Sequence, residues 1–387
     1  MNRQDAPRAT LLIMAVFALQ PFAIGGWLAL IPVVKETLGL SKSELALALM
    51  GMPVALIPSL QFAARAMTRF GPRRMLWTFF PLQAGAVMLP LLAGSGPALF
   101  GGLLLVGATM AFNEVAMNVY AGRLEKRADL MIMNRCHGFW AVGIMGGSAV
   151  VTLMTGLAPL EVLVLLAAIS AVAGALAAAA LPRLGDDETG PATPRRRPAD
   201  LPAALFYIAV FMFAVTLTEG TMADWAAVYM AERLGDPYAK AGIAVTVFSG
   251  FMAGGRFLGD WLKRRTGGVS LARLTCGCAL LGLILLIVPL PIWMALPGFA
   301  LLGFGVSAAY PLGVSAVAAL DDQYEAANIA IMATVALGGF LIGPPLIGFV
   351  SEAFGLRVGF ATLLPALILA LALTRWLRPT NRAGESF

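Results

Sequence analysis

The sequence predicts an all-α membrane protein of twelve transmembrane helices, arranged as two pseudo-symmetric six-helix halves. Three observations carry that expectation: a shortage of charge, a succession of long apolar runs, and basic residues gathered in alternate loops. Of 387 residues, 59% are hydrophobic and 12% charged, where a soluble domain carries about 25% charged residues. So few charges cannot coat a water-soluble globule of this length. A bilayer is the solvent that suits them.

Crossing ~30 Å of hydrocarbon takes about 20 apolar residues in a helix. Twelve runs reach that length, at 10–34, 43–67, 75–94, 97–121, 136–158, 160–181, 202–230, 240–262, 271–290, 292–318, 328–350 and 357–377. They are continuously apolar rather than alternating, which predicts helices and argues against a barrel. Several breaks carry Gly or Pro, as in "GSGP" (94–97) and "PLP" (289–291). The first run is too long for a signal peptide and shows no convincing small-residue cleavage site, so it is expected to stay as a helix.

Basic residues set the orientation. With the N-terminus inside, the inner segments hold 21 of the 27 lysines and arginines, the outer loops hold 5, and Arg256 lies within a span. That asymmetry fits the positive-inside rule and places both termini in the cytoplasm, with the chain in a bacterial inner membrane. The net charge of +6 therefore reads as a topology signal and not as a nucleic-acid surface. Cys136, Cys276 and Cys278 fall in or beside spans, an odd number that argues against disulfides.

Residues 182–201, "PRLGDDETGPATPRRRPADL", form the longest break. Charge, Pro and Gly make it a flexible cytoplasmic linker between an N-terminal unit, 1–181, and a C-terminal unit, 202–387. Sliding the second unit back by 196 residues places Arg265 on Arg69, Gly267 on Gly71 and Gly303 on Gly107. "GGWLALIP" in the first span and "ADWAAVYM" in the seventh match to within two residues. The shared offset points to an internal parallel repeat, an architecture with its solute site between the halves near the midplane.

With "RFGPRRM" after the second span and "GRFLGDWLKRRTG" closing the eighth, the sequence resembles the major facilitator superfamily over nearly its whole length. Those stretches look like the family's loop motif of Gly, Asp, Arg, Gly and basic residues, which helps hold the inward-closing contacts between halves. The resemblance implies gating roles for Arg69, Gly71, Arg256, Asp260 and Arg265. The acid is missing in the first copy, where Ala64 and Thr68 stand, and kept in the second as Asp260. The second half is therefore expected to carry more of the lock. Arg256 and Asp260, one turn apart, are expected to form a local ion pair, with direct substrate contact as the other reading.

Polar residues inside apolar spans mark candidate sites. A charge at mid-bilayer costs at least ~2.5–3.5 kcal/mol on insertion scales, so it must face protein or water. "ATMAFNEVAMNVYAG" (108–122) holds Asn113, Glu114 and Asn118, and the last two, four apart, share a helical face. A carboxyl that is neutral in a closed cavity and ionised in an open one can carry a proton across the membrane. A protonated glutamate bonded to another helix is the bland alternative. The repeat copy has Tyr310 in place of Glu114, so the scaffold alone does not demand an acid.

"EVAMNVY" also resembles the fourth-helix pattern of proton-coupled fucose-type symporters in the superfamily. That implies coupling and solute roles at Glu114, Asn118 and Tyr120. Those symporters also have a first-helix aspartate a turn before a proline. The place here is near Leu28, before Pro32, so a two-acid scheme does not carry over. "TEGTMADW" offers Glu219 and Asp224 beside Trp225, with an interfacial cap or interhelical bond as the other reading of Asp224. "NRCHGFWAVG" supplies His137, the one histidine, and Trp140. The imidazole suits proton exchange near neutrality, although a lone histidine is more often a packing residue. Trp27, Trp140 and Trp225 could stack on a flat solute or belong to interface belts.

The expectation is a secondary active transporter, not an enzyme: a proton-coupled symporter of a small polar solute such as a sugar. Its partners would be that solute, protons and lipid, with no nucleic acid, no cofactor and no metal, and it is expected to act as a monomer. The alternative is proton-antiport efflux of drugs or metabolites. Superfamily antiporters carry a fifth-helix Gly-Pro-x-x-Gly-Gly motif, where "AVGIMGGSAV" has the glycines without the proline.

Overall fold

A computed structural model describes residues 5–184, 201–237 and 240–378. Most of the linker expected at 182–201 thus lies outside the described residues. The helices are α1 (Asp5–Leu19), α2 (Phe22–Thr37), α3 (Lys42–Leu49), α4 (Gly51–Met88), α5 (Gly96–Ala128), α6 (Met133–Leu153) and α7 (Pro159–Ala180). They continue as α8 (Ala203–Leu234), α9 (Ile243–Thr266), α10 (Gly268–Ile287), α11 (Ala295–Ser307), α12 (Ala309–Ala318), α13 (Glu325–Phe354), α14 (Leu356–Ala361) and α15 (Leu364–Leu373). No strand occurs among the described residues. The fold is all-α, as expected.

Ten stretches among the described residues are long and apolar enough to cross a membrane, against twelve expected. Two spans account for the difference. The second and third expected spans run together as Lys42–Met88, but the path breaks at Gly71, with φ 71° and ψ 165°. The eighth, α9, falls outside the ten because Arg256 and Asp260 lower its apolarity.

Gly71 shows why sequence and helix path disagree. Its positive φ is open to glycine and strained for other residues, so the chain turns there without a loop. Gly267, 196 residues on, turns α9 into α10 with φ 80° and ψ 157°. At the opposite ends, Gly39 (φ 63°) and Gly235 (φ 70°) form a second pair at the same offset. The two ends of the molecule are called here the Gly71 face and the Gly39 face.

The offset recurs in packing. A methyl carbon added at Gly107 would lie 2.1 Å from the Met52 carbonyl oxygen, and one at Gly303 would lie 2.0 Å from that of Phe248. Met52 and Phe248 are themselves 196 apart. Bare glycine lets α5 touch α4, and α11 touch α9, backbone to backbone, the small-residue packing that membrane helices favour. The helices of the two units meet chiefly along three seams, α2 with α8, α3 with α13, and α6 with α9, with smaller contacts of α4 with α13 and α2 with α9.

Candidate functional site

Charge in the middle of the spans converges on one guanidinium. Arg256, halfway along α9, is buried and donates to the Glu219 carboxylate of α8 at 3.2 Å. It also donates to the His137 carbonyl of α6 at 3.1 Å and lies 5.9 Å over the Trp140 ring. One cation thus ties the second unit to the first. The expected Arg256–Asp260 pair is corrected: Asp260 instead accepts from Asn134 Nδ2 at 3.1 Å, and the same amide reaches the Arg256 carbonyl at 3.0 Å. A buried charge is stable only when paired, and Glu219, rather than an acid one turn along the same helix, supplies the partner.

Glu114 lies about 21 Å along α5 from the helix end at Ala128, at 1.5 Å per residue. Its carboxylate accepts from Asn118 Nδ2 at 3.3 Å, and its carbonyl from the same amide at 2.9 Å, as the shared face required. Trp140 and Arg256 also bear on this carboxyl. Glu114, Asn118, His137, Trp140 and Glu219 each keep partial exposure though deep in their helices. Tyr310, at the break between α11 and α12, is 43% exposed and stands beside Glu114. Its ring centroid is 6.1 Å from that of His137, which also meets Phe17 edge-on at 5.4 Å. The repeat partners Glu114 and Tyr310 therefore stand close to one another.

Other candidates lie elsewhere. Asn113 is fully buried and donates to Gln83 Oε1 at 2.7 Å, turned away from the Glu114 face. Tyr120 is fully buried too, its hydroxyl donating to the Pro182 carbonyl at 3.0 Å. That anchors the end of the first unit and leaves no ring for a solute, a correction to the role implied by the fucose-type pattern. Trp27 and Trp225 are fully buried, and neither indole N–H has an acceptor. In this conformation they offer no face to a ligand. Asp224 is partly exposed on α8. Arg69 is exposed over Phe70, 5.4 Å from the ring, and Arg265 packs 4.3 Å over Trp261. Neither reaches the opposite unit by those contacts.

Two amides escaped sequence reasoning. Gln20, at the break between α1 and α2, and Gln83 on α4 are both buried. Gln83 Oε1 accepts from Asn113 and from Gln20 Nε2 (3.1 Å), Gln83 Nε2 donates to the Gln20 carbonyl (3.2 Å), and Trp140 Nε1 donates to Gln20 Oε1 (3.0 Å). This network fixes Trp140 beneath Arg256. Its signal was available: a lone glutamine in "FALQPF" and another in "PLQAG".

The Gly39 face is sealed across the units. Lys42 Nζ pairs with Glu232 Oε1 at 3.0 Å, and the Lys42 backbone N–H donates to Glu352 Oε2 at 2.6 Å. Gly348 of α13 packs on Ala46 and Trp225. Deeper in the α6–α9 seam, the Ser148 and Thr246 hydroxyls are 2.9 Å apart.

Residues 11–328 match a family model described as Major Facilitator Superfamily. An uncharacterized MFS-type transporter of Yersinia pestis is 30% identical over 93% of both chains. Membrane protein MosC of Rhizobium meliloti is 28% identical over 90% of this chain and 86% of its own. Among solved structures, nucleoside transporter NupG superposes with a TM-score of 0.71 at 16% identity, over 95% of this chain and 98% of that one. A bacterial homologue of the human lysosomal transporter Spinster, inward-facing and occupied, gives 0.68 at 15% identity over 96% of each. FucP in the outward conformation gives 0.63 at 15% identity, over 96% of this chain and 99% of that one.

Proposed function

The chain belongs to the major facilitator superfamily and is a multi-pass membrane transporter, and we propose that it moves a small polar solute, such as a sugar, together with protons by alternating access. One observation carries this reading. The carboxyl of Glu114 sits deep in α5 and keeps partial exposure, near the guanidinium that joins the two units, and on this reading that exposure is access to water. Protonation from one side and release to the other requires only that the cavity's opening change sides.

The contacts at the Gly39 face support a carrier caught with that side shut. Opening it separates Lys42 from Glu232 and Glu352 and frees Trp27 and Trp225. In the bacterial inner membrane the Gly71 face, richer in arginine, is cytoplasmic, so the form described is the inward-facing one. Arg256 stays near the pivot, because its partners come from α8 and from α6. Asn118 and Trp140 flank Glu114 with an amide and a flat indole, groups suited to hydroxyls and to a sugar or base face.

The experiment is uptake into proteoliposomes under an imposed pH gradient. Glu114→Gln is expected to abolish gradient-driven accumulation while leaving solute exchange intact. Full accumulation by this variant overturns the coupling role. Uptake that ignores the gradient in the unaltered protein overturns symport.

A further inference from the structure

We propose that the central cavity selects by charge, accepting neutral or cationic solutes and rejecting anionic ones, because its one arginine is already committed to the protein. This deepens the transport reading above and rests on the same cavity. The described mid-membrane residues comprise three carboxyls, Glu114, Glu219 and Asp224, against a single guanidinium, with Asp260 a turn further along α9.

The charge of Arg256 is already balanced within the protein, which leaves little of it for a carboxylate or phosphate on a solute. Its Nη2 meets Glu219 at 3.2 Å, its Nη1 meets the His137 carbonyl at 3.1 Å, and the Trp140 ring covers it at 5.9 Å. It is 9% exposed. His137 is the other group able to carry positive charge. Its ring is flanked by Phe17 and Tyr310 and its backbone is held by the guanidinium, so a second cation would stand against the first. With Glu219 paired to Arg256, a neutral Glu114 leaves the cluster without net charge, and its ionisation makes the cluster negative. A bound anion would have to be buried beside those acids without a free counter-charge, which costs several kcal/mol. A hydroxylated or amine-bearing solute meets no such penalty.

The test needs no knowledge of the solute. In the full chain with Cys136, Cys276 and Cys278 replaced by alanine, a single cysteine is placed at the cavity wall, as Tyr310→Cys or independently Asn118→Cys. Its modification rates are measured with a cationic and an anionic methanethiosulfonate, each divided by the rate with a free thiol. Taking the ratio of the two reagents cancels the reactivity of the thiol itself.

The expected ratio favours the cation by about tenfold or more, the low end of field focusing in a charged cleft. Adding Glu219→Gln, which leaves Arg256 unpaired, is expected to reduce the ratio at least threefold. Equal rates, or a faster anion, with Glu219 intact overturn the inference. A ratio unmoved by Glu219→Gln overturns the commitment of Arg256. Loss of gradient coupling, by contrast, would sink symport and leave the ratio untouched, so the two failures are distinguishable.

Discussion

Replacing Glu219 by glutamine removes one charge from the 3.2 Å pair with Arg256 and keeps the side chain's shape. At an effective dielectric near 20, two unit charges at that distance attract by about 5 kcal/mol, a ceiling rather than a net value. Breaking a buried pair costs about 3–5 kcal/mol, mostly because the remaining charge is stranded. Here Glu219 keeps 17% exposure and the guanidinium retains the His137 carbonyl. The expected loss is therefore at or a little below the lower end, about 2–3 kcal/mol, for Glu219→Gln and similarly for Arg256→Gln. The double variant strands neither charge and should recover to within about 1 kcal/mol of the parent, a coupling well above the spread for independent sites. Titration with sodium dodecyl sulfate in mixed micelles, followed by circular dichroism on all four proteins, measures the cycle. Losses that simply add in the double variant would refute the assignment of this pair as the stabilising link.

Gly107→Ala and Gly303→Ala should each destabilise by about 1–3 kcal/mol through overpacking, because the new methyl meets a backbone carbonyl that cannot yield. Gly85→Ala and Gly101→Ala, with nothing within 4 Å of the added carbon, should be neutral in the same titration. Gln83→Leu orphans both Asn113 Nδ2 and Gln20 Nε2, whereas Gln20→Leu orphans the Trp140 indole and leaves Gln83 its bonds to Asn113 and to the backbone carbonyl of residue 20. At ~1–3 kcal/mol per stranded buried group, both should register, and a leucine that stabilises at either place would remove the network from the packing argument. Lys42→Gln should speed labelling of a cysteine at Ala46 by about 1.4- to fivefold, since a part-exposed pair is worth ~0.2–1 kcal/mol. An unchanged rate would mean the Lys42–Glu232 contact holds nothing shut.

The helices were legible because lipid imposes a one-dimensional rule: twenty apolar residues in a row, bounded by turns and charges. The repeat was legible for a related reason. Gly71 and Gly267 need the same unusual backbone angle, and Gly107 and Gly303 the same missing methyl, so fold constraints wrote the same letter twice. What a helix periodicity cannot give is the neighbour. It placed Glu114 and Asn118 on one face, and they do bond, but it could not say that Arg256 would choose Glu219 over Asp260. Tyr120 fits a family pattern in sequence and Asn113 is a polar residue in an apolar span, yet their azimuth on α5 turns them into packing against Pro182 and Gln83. The α9 span was read correctly as a helix and still falls short on apolarity, since the residues that do its work are the ones that spoil its hydrophobic signature.

The start of α3 has a consequence for endurance. Glu352 reaches across from α13 to the first N–H groups of that helix, while Ser41 and Glu44 already close the same end reciprocally, at 3.2 and 2.8 Å. When α13 withdraws, the first turn of α3 keeps its own clasp and has no reason to unwind. A contact that parts and closes again is better built on an edge that is finished on its own, so that each parting exposes a tidy rim instead of a fraying one.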